Sequence, residues 1–305
     1  MRLRITHETR YAYSPAVELA LHMAYLQPPP TRCQSRLDYR LEIEPKPSVL
    51  NETPDIYRNV RAFFEINEPH DSLLVRATSL VDTQLPAPVS SQVSWEAVRD
   101  AFIYHAGIEW HPAAEYVYPS TYVHPGPVFA EYAKPSFPPG APLVEAARDL
   151  MDRIHSEFTY ASNSTEISTP AAVALANRRG VCQDFSQVML ACLRSLGLPA
   201  RYVSGYLLTQ PPPGMPRLVG SDASHAWVSV YLPDVAANHE GHGWYDLCPT
   251  NHRDGWGTPG EDYVRLAVGR DYSDVSPMRG VIHGSGHHQM KVGVTVEPFE
   301  ASSLS

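Results

Sequence analysis

At 305 residues the chain is about two domain lengths, and a composition of 43% apolar and 19% charged residues is that of a folded protein, not of a disordered or fibrous one. Lys and Arg total 24 against 33 Asp and Glu, a formal charge of −9, and no stretch gathers the basic residues a phosphate backbone demands, so nucleic acid is excluded as the expected partner. No apolar leader segment and no run of about 18 apolar residues occurs; neither a signal peptide nor a membrane partner is expected, and the expected compartment is the cytoplasm.

Residues 1–85 alternate with period two. Leu3 and Ile5, Tyr11 and Tyr13, Leu37 to Ile43, Val60 to Ile66 and Leu73 to Ala77 each place apolar side chains on one face, between Pro, Asn and Asp breaks. This predicts an N-terminal antiparallel β-sandwich domain. Residues 86–139 are rich in Pro and aromatics and read as a connector, with one helix capped by Ser94.

A second unit is expected over 140–252. Leu143, Ala147, Leu150, Met151, Ile154 and Phe158 form a helical stripe behind Pro142. A helix AAVALANRR follows Thr169-Pro170 and is expected to close at Gly180. Past Cys182, the positions Phe185, Val188, Met189, Cys192, Leu193 and Leu196 define one buried face, ended by Gly197 and Pro199. Strand patterns follow at 201–208, 225–232 and from Gly243 to Cys248. The segment 253–305 is read as a tail, loop-like to 288, with a final strand at 291–299 packing back. Helices followed by strands make the fold class α+β.

Four cysteines, Cys33, Cys182, Cys192 and Cys248, are too few and too irregular for a disulfide framework. Cys192 lies on the apolar stripe and reads as a core thiol, and Cys33 has only a polar loop around it. Cys182 differs, because it opens a helix, where unpaired N–H groups and the helix dipole favour a thiolate. A nucleophilic cysteine needs a base, and His225, at the start of a strand 43 residues on, is the candidate. The backbone N–H of Cys182 would face a developing oxyanion, and the Gln183 side chain either joins it or is a helix-start residue facing water. Trp227 and Trp244 either wall a groove for an acyl donor or fill the core.

The blocks RRGVCQDFSQVMLACLRSLGLPARYVSGYL, DASHAWVSVYLP and GW…PTN together resemble the transglutaminase-like superfamily of papain-type cysteine enzymes. The flanks RITHETRYAYS and LAVGRDYSDVSPMRGVIHG are similar to those of its bacterial members, which carry an N-terminal β domain. The resemblance implies a papain-like transglutaminase core and a Cys–His–Asp triad, with Cys182 as nucleophile and His225 as base and acid. The third position departs from the pattern. Where GW-x-x-x-D-P-T is expected, the chain reads Gly243-Trp244-Tyr245-Asp246-Leu247-Cys248-Pro249-Thr250, with Cys248 in the aspartate's place.

Asp246 is then the expected orienting residue. It shares a strand face with Cys248 but is displaced from it by about 6–7 Å. Asn251 and Asp222 are substitutes, and a neutral thiol at 248 would be a poor acceptor. The expected function is cleavage or transfer of an amide bond in a peptide or protein substrate through a thioester, with protease or amidase action favoured over crosslinking, because an amine acceptor needs a second pocket. The alternative is a non-catalytic module that binds a peptide or partner with a degenerate triad.

Two cysteines and a histidine could hold zinc only with a fourth ligand from elsewhere, so neither a metal nor another cofactor is expected. A regulatory Cys182–Cys248 disulfide requires Cα atoms within about 7 Å. His283, His287 and His288, like His239 and His242, read as solvated loop histidines.

Overall fold

The computed structural model describes residues 1–162, 168–209, 223–238, 243–284 and 286–299. Six strands come first: β1 (Arg2–Val17), β2 (Leu19–Gln27), β3 (Gln34–Glu44), β4 (Val49–Pro54), β5 (Val60–Ile66) and β6 (His70–Thr83). They form two antiparallel sheets facing each other across Val17, Ala20, Phe64, Ile66, Leu73 and Val75, the residues that period-two burial turns inward.

The connector holds α1 (Trp95–Ala101), where the Ser94 hydroxyl accepts from the Ala97 N–H, and α2 (Pro127–Ala133). Next come α3 (Leu143–Glu157), β7 (Thr159–Tyr160), α4 (Ala171–Asn177), β8 (Arg179–Gly180) and α5 (Cys182–Ser195). The helix expected to run on to Gly180 stops at Asn177. Arg178 takes the left-handed conformation, with φ 50°, and the chain turns there into β8, which pairs with β7.

The remaining elements are β9 (Ala200–Leu207), β10 (Ser224–Tyr231), α6 (Pro233–Asn238), β11 (Trp244–Cys248), β12 (Arg253–Trp256), β13 (Tyr263–Gly269), α7 (Tyr272–Val275), β14 (Met278–His283) and β15 (His287–Pro298). β9 to β13 make a five-stranded antiparallel sheet in the order β12-β11-β10-β9-β13. The fold is α+β.

The segment expected to be a loop up to residue 288 contains three strands. Val264, Leu266 and Val268 had the alternation that marks β13, and the glycines and charged residues on either side obscured it. β14 pairs with β2 and β15 with β1, so each sheet of the N-terminal sandwich takes one strand from the far end of the chain. His283 ends β14, and His287 and His288 open β15; they are exposed strand residues, not loop residues, and His283 lies 3.3 Å from Glu18.

The two faces of the five-stranded sheet differ. Ala200, Tyr202, Ala226, Val228, Val230, Tyr245 and Leu247 pack beneath α5 in the main apolar core, with Leu190 and Cys192 of the helix. Val203, Trp227, Cys248, Tyr263 and Val268 form a separate cluster on the other face. Polar residues share that second face: β10 pairs Ser229 with Asp246 across to β11 and with Arg201 across to β9. The N-terminal domain docks there, where Gln34 binds the backbone of Arg265 and Asn59 that of Val268.

Candidate active site

Gly180 makes the first turn of α5 possible. A Cβ there would meet the Asp184 side chain at 2.6 Å, and Asp184 accepts from the Val181 N–H at 2.8 Å, closing the helix start. Cys182 follows as the first residue of α5. The backbone N–H groups of Gln183 and of Ala226, the residue after His225, point at its thiol, so helix start and strand start meet at this sulfur.

Helix-start position alone predicts a lowered thiol pKa. The structure reverses that: Cys182 keeps some open surface, yet burial outweighs both N–H groups and pushes the thiol up to about 12. Cys192 is fully buried in the core, as a structural thiol should be. Cys33 is buried as well, its thiol on the Trp256 carbonyl, where a polar loop had been expected.

His225 is nine-tenths buried, and desolvation pushes its imidazole down to about 4, so it is neutral near pH 7. Its Nε2 lies 3.1 Å from Cys248 Sγ and 3.3 Å from Asn251 Nδ2. Among the described residues no hydrogen bond joins His225 directly to Cys182.

Asp246 does not reach the histidine. Its carboxyl accepts from the Trp227 indole N–H at 2.9 Å and from the Ser229 hydroxyl, all three side chains being buried. The two-residue displacement along β11 accounts for this, since the position diagonal to His225 belongs to Cys248. Asp222 lies outside the described residues, as do His239 and His242.

Cys248 is surrounded by donors. The Tyr263 hydroxyl and the backbone N–H groups of Thr250 and Asn251 all point at its sulfur, while burial raises its pKa. Asn251 Nδ2 donates in turn to the Tyr263 oxygen at 3.0 Å. Tyr263 was missed in the sequence because β13 was; a tyrosine opening an alternating run was the available signal. Among the described residues no three His, Cys, Asp or Glu side chains gather as a metal site.

The two tryptophans part ways. Trp227 is 1% exposed and belongs to the core, its indole N–H committed to Asp246, so it walls no groove. Trp244, half-buried at the opposite end of β11 from Cys248, lies under the Arg201 guanidinium at 3.9 Å. It does not flank the thiol. Gln183, partly exposed in the first turn of α5, brings its backbone N–H to the Cys182 sulfur.

Comparison with other proteins agrees with this fold. Residues 3–82 match the bacterial transglutaminase-like N-terminal region, and residues 132–249 match the transglutaminase-like superfamily. An uncharacterized protein of Mycobacterium tuberculosis is 40% identical over 99% of this chain and 95% of its own length. One from Mycobacterium leprae is 30% identical over 97% of this chain and 98% of its own. The crystal structure of a candidate cysteine protease from Cytophaga hutchinsonii shares the fold, with a TM-score of 0.68 at 20% identity over 99% of this chain and 92% of that one. The chain belongs to the transglutaminase-like superfamily.

Proposed function

We propose that the protein is a cysteine-nucleophile enzyme that breaks an amide bond of a peptide or protein through a thioester. The observation that carries this reading is the shell around Cys248. A tyrosine hydroxyl and two backbone N–H groups converge on that sulfur, the arrangement that suits an acceptor. An accepting Cys248 takes the Nε2–H of His225, and the opposite nitrogen, Nδ1, then carries the lone pair a base needs. Asn251 donating to Nε2 would select the other tautomer, but its contact is longer and its amide already serves Tyr263.

A thiol held up to about 12 beside an imidazole held down to about 4 is a neutral pair at rest. The thiol proton therefore moves to His225 as the sulfur attacks the carbonyl carbon. The N–H of Cys182 and the side-chain amide of Gln183 receive the oxyanion, the C–N bond breaks as His225 protonates the amine, and water resolves the thioester. Hydrolysis is favoured over transfer to an amine, since water needs no second pocket. Four cysteines kept as free thiols suit a reducing cytoplasm; among the described residues no helix is long and apolar enough to cross a membrane.

Alkylation of Cys182 by iodoacetamide, followed site by site across pH, tests this. The expected rate is nearly flat from about pH 5 to 8, falls as His225 protonates near pH 4, and drops at least tenfold in His225→Ala. A rate that follows an ordinary thiol titration near pH 8.5 and ignores the variant overturns the assignment. Cys248 in place of a carboxylate also favours a second reading, a peptide-binding module with a retired site, and that result would select it.

A further inference from the structure

On the His225-bearing face of the five-stranded sheet a cavity of about 540 Å³ opens between the sheet and the N-terminal domain. Arg201, Arg265, Trp244 and Trp256 line it from the sheet, and Cys33 and Tyr57 from the sandwich loops. The size is that of a small-molecule site.

The two arginines are anomalous. Arg201 is 8% exposed, and the Nε–H groups of both Arg201 and Arg265 are buried with no hydrogen-bond partner among the described residues. Buried guanidinium donors are normally satisfied, because desolvating a charge without a partner is among the costliest arrangements in a protein. The two also repel each other, and burial lowers the pKa of each, Arg201 to about 10.

Asp246 attracts both guanidiniums, but a single carboxyl faces two cations, and its oxygens already accept from Trp227 and Ser229. Arg32 and Arg58 add two more guanidiniums to the lining. The stacking of Arg201 on Trp244 fixes the fork's plane from one side and leaves its N–H edge for a ligand.

We infer that this cavity is a binding site for a small organic oxyanion, a carboxylate or phosphate group clasped by Arg201 and Arg265, with its carbon body against Trp256 and the neighbouring proline ring of Pro29. A planar oxyanion meets a guanidinium with two parallel hydrogen bonds and supplies the acceptor each Nε–H lacks. Arg265 stands across β9 from His225, both being partners of Gly205, two strand spacings or about 10 Å apart. Arg201 lies four residues along β9 from Gly205, the partner of His225, a separation of about 13 Å.

The test is calorimetric titration of the full chain with inorganic phosphate, malonate and para-bromobenzoate, against chloride at equal ionic strength. One-site saturation by at least one oxyanion is expected, weakened at least tenfold in both Arg201→Gln and Arg265→Gln. Saturation by phosphate alone would identify a phosphate ligand, and by the carboxylates alone a carboxylate ligand. No saturation by any probe up to about 10 mM, or equal affinity in both variants, overturns the proposal. Should the variants fail to fold, the bromine signal in crystals of the unaltered protein decides: density between Arg201 and Arg265 supports the site, and density only elsewhere rejects it.

Discussion

The central sheet turns one face to α5 and the other to the N-terminal domain, and the two are held by different physics. Beneath the helix, Val228, Val230, Leu247 and Ala200 meet Val188, Leu190 and Cys192 in an apolar contact that needs no partner for any side chain. On the far face, Asp246, Ser229, Trp227, His225 and Cys248 are as deeply buried but polar, and each must be answered by a specific donor or acceptor. The first face tolerates any residue of similar volume. The second face is specified atom by atom, and chemistry is placed there because directed groups are what chemistry uses.

The largest effect expected from breaking this contrast is at Asp246. Asp246→Ala strands the Trp227 N–H, the Ser229 hydroxyl and the Arg201 charge, and should destabilise by about 3–5 kcal/mol, read from the urea midpoint. Leu190→Ala, on the apolar side, should cost about 2–5 kcal/mol through its cavity alone. If Asp246→Asn costs as much as Asp246→Ala, charge and not hydrogen bonding holds the polar face.

Cys248→Asp would sharpen the comparison in function. A carboxylate within the existing donors is a stronger acceptor for His225 Nε2–H and should raise the Cys182 alkylation rate about tenfold, equivalent to about 1.4 kcal/mol. A slower rate would mean that the shell is shaped to sulfur.

Acid should find the buried imidazoles. His7, His22 and His225 are each pushed from 6.5 to about 4 by burial, so the unfolded chain binds their protons more tightly than the folded one. Their contribution is complete above pH 6.5 and is lost as pH falls from 6.5 to 4, at about 1.4 kcal/mol per pH unit for each at most. His22 belongs to the sandwich and has both ring nitrogens buried without a partner among the described residues. His22→Leu should therefore flatten the pH dependence of the urea midpoint by about a third of its slope. The smallest effect is Ser229→Ala, about 1 kcal/mol, since Asp246 keeps Trp227.

What the sequence revealed follows the same division. The apolar stripe of α5 and the alternation of β5, β6 and β10 were legible because burial beneath an apolar layer imposes a period on the chain. Cys182 and His225 were legible because helix start and strand start are local signals. The roles around Cys248 were not, since Tyr263 arrives from β13, whose apolar residues sit in a region rich in Gly and charged residues. Nor did periodicity distinguish Arg201 and Arg265 from surface arginines; an arginine inside the otherwise apolar run of β9 was the trace they left.

The sandwich draws β14 and β15 from the last part of the chain, with Leu3 opposite Pro298 and Leu19 opposite His283. During synthesis on the ribosome its first six strands emerge long before these partners exist, leaving β1 and β2 with open hydrogen-bonding edges while the sheet bearing His225 is still being made. The first domain to be translated is therefore among the last to be finished, and a chain cut before Met278 would release a pair of sticky edges in place of a smaller folded protein.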